Sequence, residues 1–518
     1  MLNGASINVP YPPQAPASGF AGDKNAAHLS YYKAFDFKKE NDRVLLHFGA
    51  VDQVASVSLN GVLVGTHEGG YLPFEFDVTD YILEGVNELT VECEDSLDHY
   101  YPYGKQTKKP GGMWYTPFSG IWKSVWIEQV PEGYIKDIKI KPDLKGVTLD
   151  IDGEIQRIDI EDPHLLTPED PYLYTKTIER GKDKVEIYFG LRTIEIKEIN
   201  GTNRVILNGK PVFLHGILDQ GYYVPGLCTA TPEEYERDIL TMKSLGFNML
   251  RKHIKIEDES FYYLCDKHGM LVMQDMVNNG EYRFFKDTFL ATLGFNMSDK
   301  TGFGEKRKEF WVKHSKETME MLYDHPCIIA YTLFNEGWGQ FESDAAYTML
   351  KSVDDTRLFD STSGWFPQNL SDFDSVHIYF RLTEITPKER PALLSEFGGY
   401  SYAVDGHRST KKTYGYGGCR SKEDLTQKIL TAYERMVIPA IEKGLCGSIY
   451  TQVSDIEDEI NGMLTYDREV LKVKEDDIRT ISEKIKEKIK KQVLISKIFG
   501  HKKKRQCPRI KKVVPKLF

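Results

Sequence analysis

Two glutamates sit in matching local settings. Glu336 closes the run "YTLFNE" and is followed by Gly337, Trp338 and Gly339; Glu396 closes "LLSE" and is followed by Phe397, Gly398 and Gly399. Each is an apolar, β-prone stretch that ends in a carboxylate, with glycine beyond it to let the chain turn away. One such glutamate reads as a solvated charge at a strand end. Two at corresponding ends can act together on a glycosidic bond. One carboxylic acid protonates the leaving oxygen, and the other carboxylate, about 5–5.5 Å away, attacks the anomeric carbon.

Such a pair needs a scaffold that gathers strand ends. From about residue 201 short apolar runs alternate with amphipathic helical stretches. Eight runs read as strands: "VFLHG" (212–216), "NMLRKH" (248–253), "LVMQDM" (271–276), "IIAYTLFNE" (328–336), "RLFDS" (357–361), "SVHIY" (375–379), "ALLSEFG" (392–398) and "GSIYTQ" (447–452). The helix opening at "TPEEYERDILTMKSLG" has Thr231 as cap, Pro232 in its first turn, Glu234 completing a capping box and Gly246 near its end. Ser421 and Asp424 repeat that spacing. The pattern predicts a (β/α)8 TIM barrel over residues 201–490, with chemistry at the C-terminal strand ends. Glu336 then tops strand four and Glu396 strand seven. His215, His253 and His377 also fall at strand ends and are sugar-binding candidates, each equally readable as a structural histidine. Trp338 and Trp365 could wall a sugar site or fill the core.

Upstream the texture is all β. Residues 1–130 carry short alternating runs broken by Gly, Asn and Pro, which reads as an antiparallel β-sandwich, and residues 131–200 as a second, smaller one. Residues 491–518 form a basic tail; from Lys490 onward there are eleven Lys or Arg and no acid. It follows the helix-like "DDIRTISEKIKEKIKKQVLI", which could close the barrel.

Composition excludes several classes. Lys and Arg number 67 against 77 Asp and Glu, a formal charge of −10, which argues against general nucleic-acid binding. The seven cysteines are scattered without a CxxC pair, so reduced thiols, a cytoplasmic setting and no zinc cluster are expected. Neither a long apolar run nor a signal-like N-terminus is present, so no membrane association is expected. Tyr (30) and Phe (26) are abundant, and tyrosine offers flat surfaces with a polar edge that suit sugars.

The motifs "FNEGWGQ", "LLSEFGGY", "LNGKPVFLHG" and "GFNMLRKH" resemble glycoside hydrolase family 2, the retaining β-glycosidases that include β-galactosidases, β-glucuronidases and β-mannosidases. "VSLNGVLVGTHEGGYLPFEFDVT" and "TPFSGIWKSVWIE" resemble its sugar-binding N-terminal jelly roll, and "PEDPYLY" and "FGLRTIEI" its immunoglobulin-like domain. The likeness covers residues 5–480. It implies Glu336 as general acid/base, Glu396 as nucleophile and Asn335 as the partner of the sugar 2-hydroxyl. It also implies Arg251 as the cation beside the nucleophile, and Tyr379 as a hydroxyl contacting it. The jelly roll begins late for the family, which points to a missing first strand or two, and the second sandwich is short.

A β-galactosidase-type activity is expected, with a β-glucuronidase or other family 2 β-glycosidase as the alternative. No Asn-x-Lys follows the nucleophile of the kind that meets the carboxylate in β-glucuronidases. A catalytically idle carbohydrate-binding protein is the alternative from another class. Neither a cofactor nor a metal is expected, because two carboxylates suffice for the reaction and no ligand cluster can be assembled from spacing. The expected partner is a β-glycoside, and the chain remains open to homo-oligomer formation.

Overall fold

The computed structural model describes residues 4–283, 287, 299 and 304–503, with side chains as far as Lys491. The basic tail beyond 503 and Cys507 lie outside the described residues.

The first sandwich faces a four-stranded antiparallel sheet (His28–Phe37, Gly85–Glu94, Val54–Leu59, Val62–Glu68 in spatial order) with a three-stranded one (Phe74–Asp77, Arg43–Phe48, Val125–Val130). Val54–Leu59 alternates half-buried and buried residues, and Val57, Leu59, Val44, Leu46, Phe48 and Val91 meet between the sheets. The second sandwich joins the strands Ile138–Pro142, Gly146–Ile151 and Glu154–Asp159 to the hairpin Tyr174–Arg180/Asp183–Phe189, around Ile140, Val147, Leu149 and Phe189.

The strand at "TIEI", read with the second sandwich, belongs elsewhere. Ile194–Ile199 pairs with Thr202–Leu207, which pairs with Lys210–Pro211. Ile194, Val205 and Leu207 pack against Leu214, Met249, Leu271, Ile329, Leu358, Leu393 and Ile449 from the barrel strands. The hairpin is therefore the barrel's floor, covering apolar side chains that an open end would leave wet.

The barrel strands are Leu214–Asp219, Met249–Lys252, Leu271–Asp275, Ile328–Asn335, Leu358–Ser363, Asp374–Ile378, Ala392–Gly398 and Leu445–Thr451, and their order around the sheet follows the chain. They are parallel, and seven of the eight are fully or almost fully buried, as a sheet covered on both faces demands. Between strands five and six no backbone ladder forms. Side chains stitch that seam instead: the Ser375 hydroxyl donates to Asp360 Oδ1 (2.8 Å), and Ser363 Oγ lies 3.1 Å from His377 Nε2. Thr231 closes its capping box with Glu234 in the helix Pro232–Ser244, and Ser421 caps Lys422–Ala432. The connections 364–373 and 379–391 carry no helix, contrary to strict strand–helix alternation. Their sequences, "GWFPQNLSDF" and "YFRLTEITPKERP", have Pro, Asn and Gly where a helix needs a continuous apolar stripe. Helix Glu475–Lys503 lies against the barrel through Ile478, Ile481 and Ile485.

The first sandwich sits on the barrel mouth. The Tyr103 hydroxyl donates to Gly280 O (2.8 Å), and the buried Lys123 ammonium donates to Glu257 O (2.9 Å) and to Tyr71 O (3.1 Å). Trp122 packs with Ile254, Ile256 and Trp338. At the opposite end, buried Arg192 donates to Pro326 O (2.9 Å), Ile328 O (2.5 Å) and Thr356 O (3.4 Å), joining the second sandwich to the barrel floor. Arg192→Met would strand those carbonyls at about 1–3 kcal/mol for each well-formed bond lost. We expect a thermal unfolding midpoint lowered by several degrees, with turnover retained at temperatures well below it. An unchanged midpoint in calorimetry would refute that role.

Candidate active site

Strand four delivers Glu336. The residue itself has φ +52°, in the left-handed region that non-glycine residues seldom occupy. Gly337 follows at φ +71°, and a Cβ there would meet Phe366 at 2.4 Å, so the turn out of the strand is built for glycine. The strained backbone points the Glu336 carboxyl across the mouth, where its Oε1 lies 2.7 Å from His377 Nδ1. Other non-glycine residues share this conformation, Glu342 and Glu457 among them, so it is the position of Glu336 at the barrel mouth that makes its strain a functional signal.

Glu396, delivered by strand seven and 4% exposed, is bound differently. Arg251 Nη1 donates to its Oε1 (3.0 Å) and to Ser395 O (3.0 Å). The same guanidinium donates through Nε and Nη2 to both Asp275 oxygens (2.9 Å each) and through Nη2 to Asn335 Oδ1 (2.9 Å). The Tyr379 hydroxyl donates to Glu396 Oε2. Burial disfavours the charge on Glu396, but His377, Arg251, His253 and the Tyr379 bond outweigh it and bring the carboxyl down to about 2. Burial and the nearby Lys105 charge lower His253 itself to about 4, so near neutral pH it carries no charge. There the charge of His253 falls away from that set, and Arg251 and the Tyr379 bond remain beside His377. Burial also opposes charge on Asp275, yet Arg251 and His253 hold it below its usual value.

His377 stands between the pair, with Nε2 3.5 Å from Glu396 Oε1. One oxygen of each carboxyl and a ring nitrogen of His377 lie within 4.8 Å of one another. Among the described residues a second group, His407, Asp467 and Glu469, has similar spacing, with Glu469 exposed. The donor set of either could take a cation. Three different strands bring the first together, which is why spacing along the chain could not reveal it. A cation there would occupy the space between the two carboxyls.

The pocket above the pair is lined by Asn335, Glu336, Glu396, Tyr379, His253 and Trp338 from the sequence candidates. Trp338 is buried, with Nε1 donating to Gly280 O (3.2 Å) and its ring against Trp114 and Tyr103. Arg251 lies beneath, fully buried. Two candidates fall elsewhere. His215 is buried with its Nε2 2.9 Å from Ser482 Oγ of the C-terminal helix and its ring stacked on Phe247, and burial lowers it to about 3. It fastens that helix to the barrel and does not line the pocket. Trp365 is half-buried against His377, behind the pocket wall.

Residues 24–118 match the family described as "Glycosyl hydrolase 2 galactose-binding domain-like", and residues 197–406 match "Glycosyl hydrolases family 2, TIM barrel domain". Together they span more than half of the chain. The chain belongs to glycosyl hydrolase family 2. It is 28% identical over 375 residues to the β-galactosidase large subunit of Lactobacillus helveticus, covering 64% of this chain and 57% of that protein. To the β-galactosidase of Thermoanaerobacter pseudethanolicus it is 27% identical over 323 residues, covering 52% and 42%. The chain thus spans less than two thirds of these curated relatives. Among solved structures it shares its fold with the β-D-glucuronidase of Dictyoglomus thermophilum (TM-score 0.71, 18% identity, 93% of each chain). A family 2 β-galacturonidase of Eisenbergiella tayi is similarly alike (TM-score 0.68, 19% identity, 92% of each chain).

The family 2 pocket also takes residues that sequence reasoning missed. Asp275, bonded to Arg251 beneath the pocket, also ends an apolar run in a carboxylate, with Met276 rather than glycine close behind it. Lys105, Met113 and Trp114 come from the sandwich, and Gln220, Tyr416, Thr451 and Glu459 from loops and strand ends of the barrel. Tyr416 stacks on Tyr379 at 4.0 Å and fixes the phenol against Glu396. Among the described residues no helix is long and apolar enough to cross a membrane.

Tyr379→Phe keeps that stack and removes the hydroxyl. A hydrogen bond to a charged group contributes about 1.5–3 kcal/mol, so kcat/KM is expected to fall roughly 10- to 150-fold. Losing a donor to the ionised form raises the Glu396 pKa, because only the charged carboxyl was stabilised. The acid limb of kcat/KM, read between pH 3 and 7, should therefore move upward in pH. A loss with no movement of that limb would count against the assignment.

Proposed function

We propose that this chain hydrolyses terminal β-linked sugars with retention of anomeric configuration. The closeness of the two carboxyls carries the reading. One oxygen of each carboxyl lies within 4.8 Å of the other, which supports the separation of about 5–5.5 Å that retaining enzymes use. Glu396, ionised and paired with Arg251, attacks the anomeric carbon and forms a covalent glycosyl-enzyme. Glu336 gives its proton to the leaving oxygen, then takes one from the water that releases the sugar. Asn335, turned by Arg251, is placed to meet the 2-hydroxyl.

The names of the curated relatives support a β-galactoside as substrate. A β-uronide is the second reading, favoured by one feature of the pocket, the Lys105 ammonium on its wall. Against an idle binding protein stands the set itself: Arg251 and Tyr379 both bond Glu396, and Glu336 lies within 4.8 Å of it.

The two glutamates are separable by experiment. Glu396→Ala should lower turnover of every aryl β-glycoside to background. Glu336→Ala should lose about 10²- to 10⁴-fold on poor leaving groups, while activated aryl glycosides still form the intermediate. Azide should then restore turnover in Glu336→Ala and yield the β-glycosyl azide. An α-glycosyl azide from Glu336→Ala would reverse the two roles.

A further inference from the structure

We propose that a second cleft between the first sandwich and the barrel, behind the wall of the catalytic pocket, binds an organic anion with an apolar body: an aryl or polycyclic carboxylate or sulfonate. The cleft has a volume of about 580 Å³, within the range of about 300–1,000 Å³ that small-molecule sites occupy, and it lies at a domain junction, where such sites are frequent. Three segments run from the catalytic pocket into it. Trp114, Gln220 and Glu459 line the pocket, and Thr116, Tyr222 and Glu457, two residues away in each case, line the cleft. Tyr115 stands in the partition, its ring edge-on to Tyr222 at 4.8 Å and its hydroxyl donating to Glu459 Oε2. The two cavities are therefore back to back, and the cleft is a site of its own.

Its lining is apolar beyond what packing requires. Tyr222 and Ile456, 8% and 4% exposed, form the floor, while Pro16, Pro110, Val224 and Pro225 stand exposed around it, Val224 by 48%. These four come from the N-terminal segment, a sandwich loop and the connection after strand one. Apolar side chains that converge from separate segments and keep accessible surface gain about 25 cal/mol per Å² when a ligand covers them. Three of the four are prolines, whose rings have no rotamer freedom to lose on binding.

The polar groups decide the charge of the occupant. The three carboxylates of the cleft are already engaged by protein. Asp455 accepts from Lys472 Nζ (2.6 Å) and Gly462 N (2.8 Å), Glu457 from Thr116 N (2.9 Å), and Asp458 from Thr410 Oγ1 (2.6 Å) and Gly112 N (3.4 Å). Those bonds pin the loops that frame the cleft. Lys411 and Lys412 differ: both are exposed, and neither ammonium makes an ion pair or hydrogen bond among the described residues. Two neighbouring cations at the edge of an apolar cleft suit a ligand whose anionic group stays at the rim while its apolar part enters. A cationic ligand would be repelled there, and a neutral sugar would set its hydroxyls against the apolar walls.

The test uses the full chain with 8-anilinonaphthalene-1-sulfonate and its uncharged counterpart N-phenyl-1-naphthylamine, followed by fluorescence at low ionic strength. Wild type should bind one sulfonate dye per chain, about 10-fold or more tightly than the uncharged dye, with an affinity that falls as salt rises. Lys411→Glu combined with Lys412→Glu should weaken the sulfonate about 10-fold or more and leave the uncharged dye within about 2-fold, whereas the double Lys→Arg variant should keep the preference. Val224→Asp should weaken both dyes. All three positions are exposed, and an unchanged unfolding midpoint shows that each variant is folded. Absence of one-to-one binding, equal affinity for the two dyes, or sulfonate binding untouched by the charge reversal or by Val224→Asp overturns the proposal. So does a wild-type dimer that takes up no dye and that Val224→Asp dissociates in sedimentation, since a second copy of the chain would then fill the cleft.

Discussion

The buried guanidinium of Arg251 is the constraint around which the site is organised. A cation with no exposed surface costs several kcal/mol unless it is paired and hydrogen-bonded. Here it is met by Asp275 on two bonds, Glu396 on one, the Ser395 carbonyl and the Asn335 side-chain oxygen. Those partners come from strands three, seven and four, and Arg251 from strand two. One planar group thus fixes the relative height of four strands at the mouth. It also sets the state of Glu396, since the charge that needs Glu396 for its burial is a charge that favours its ionised form.

A second ionic group ties the sandwich to this frame. Lys252 bonds Asp219 (2.6 Å) and Glu257 (2.9 Å), Lys255 bonds both oxygens of Glu257, and Lys123 of the sandwich takes the Glu257 carbonyl. All of these are buried; the ion pairs lie within the barrel, and the Lys123 bond to the Glu257 carbonyl is the one that crosses to the sandwich, leaving a buried ammonium that depends on the contact. The sandwich is part of the pocket, closing one side of it with Lys105, Met113 and Trp114. Below, the 194–211 hairpin does for the barrel's floor what the sandwich does for its mouth, with apolar side chains in place of charges.

How far the sequence disclosed this depended on range. Strand runs and capping boxes are local, so all eight barrel strands and the Thr231 cap could be read from neighbouring residues. The carboxylates at strand ends needed one further assumption, that parallel strands open on the same side. His215 misled because a histidine in an apolar strand looks the same whether it faces a ligand or a distant helix; its partner, Ser482, is 267 residues away. The hairpin at Ile194–Leu207 has the alternation of any sandwich strand, and only the barrel beneath it says otherwise. Lys105 and Glu459 sit in loops without periodicity. Their place in the pocket follows from how two domains dock, which no local pattern encodes.

The two glutamates began as equivalent signals, and their surroundings separate them. Glu396 continues its strand in regular conformation, buried among a cation and a phenol donor, both of which favour its ionised form. Glu336 stands at φ +52°, half-buried, with His377 Nδ1 2.7 Å away and no Lys or Arg ion pair among the described residues. A nucleophile must keep its charge through the cycle, whereas an acid/base must lose and regain a proton in each turnover. Exchanging the two environments would place under the acid/base the Arg251 guanidinium and the Tyr379 hydroxyl, both of which favour an ionised carboxyl and oppose its reprotonation. What distinguishes the two carboxyls is therefore what surrounds each, since the carboxyls themselves are alike.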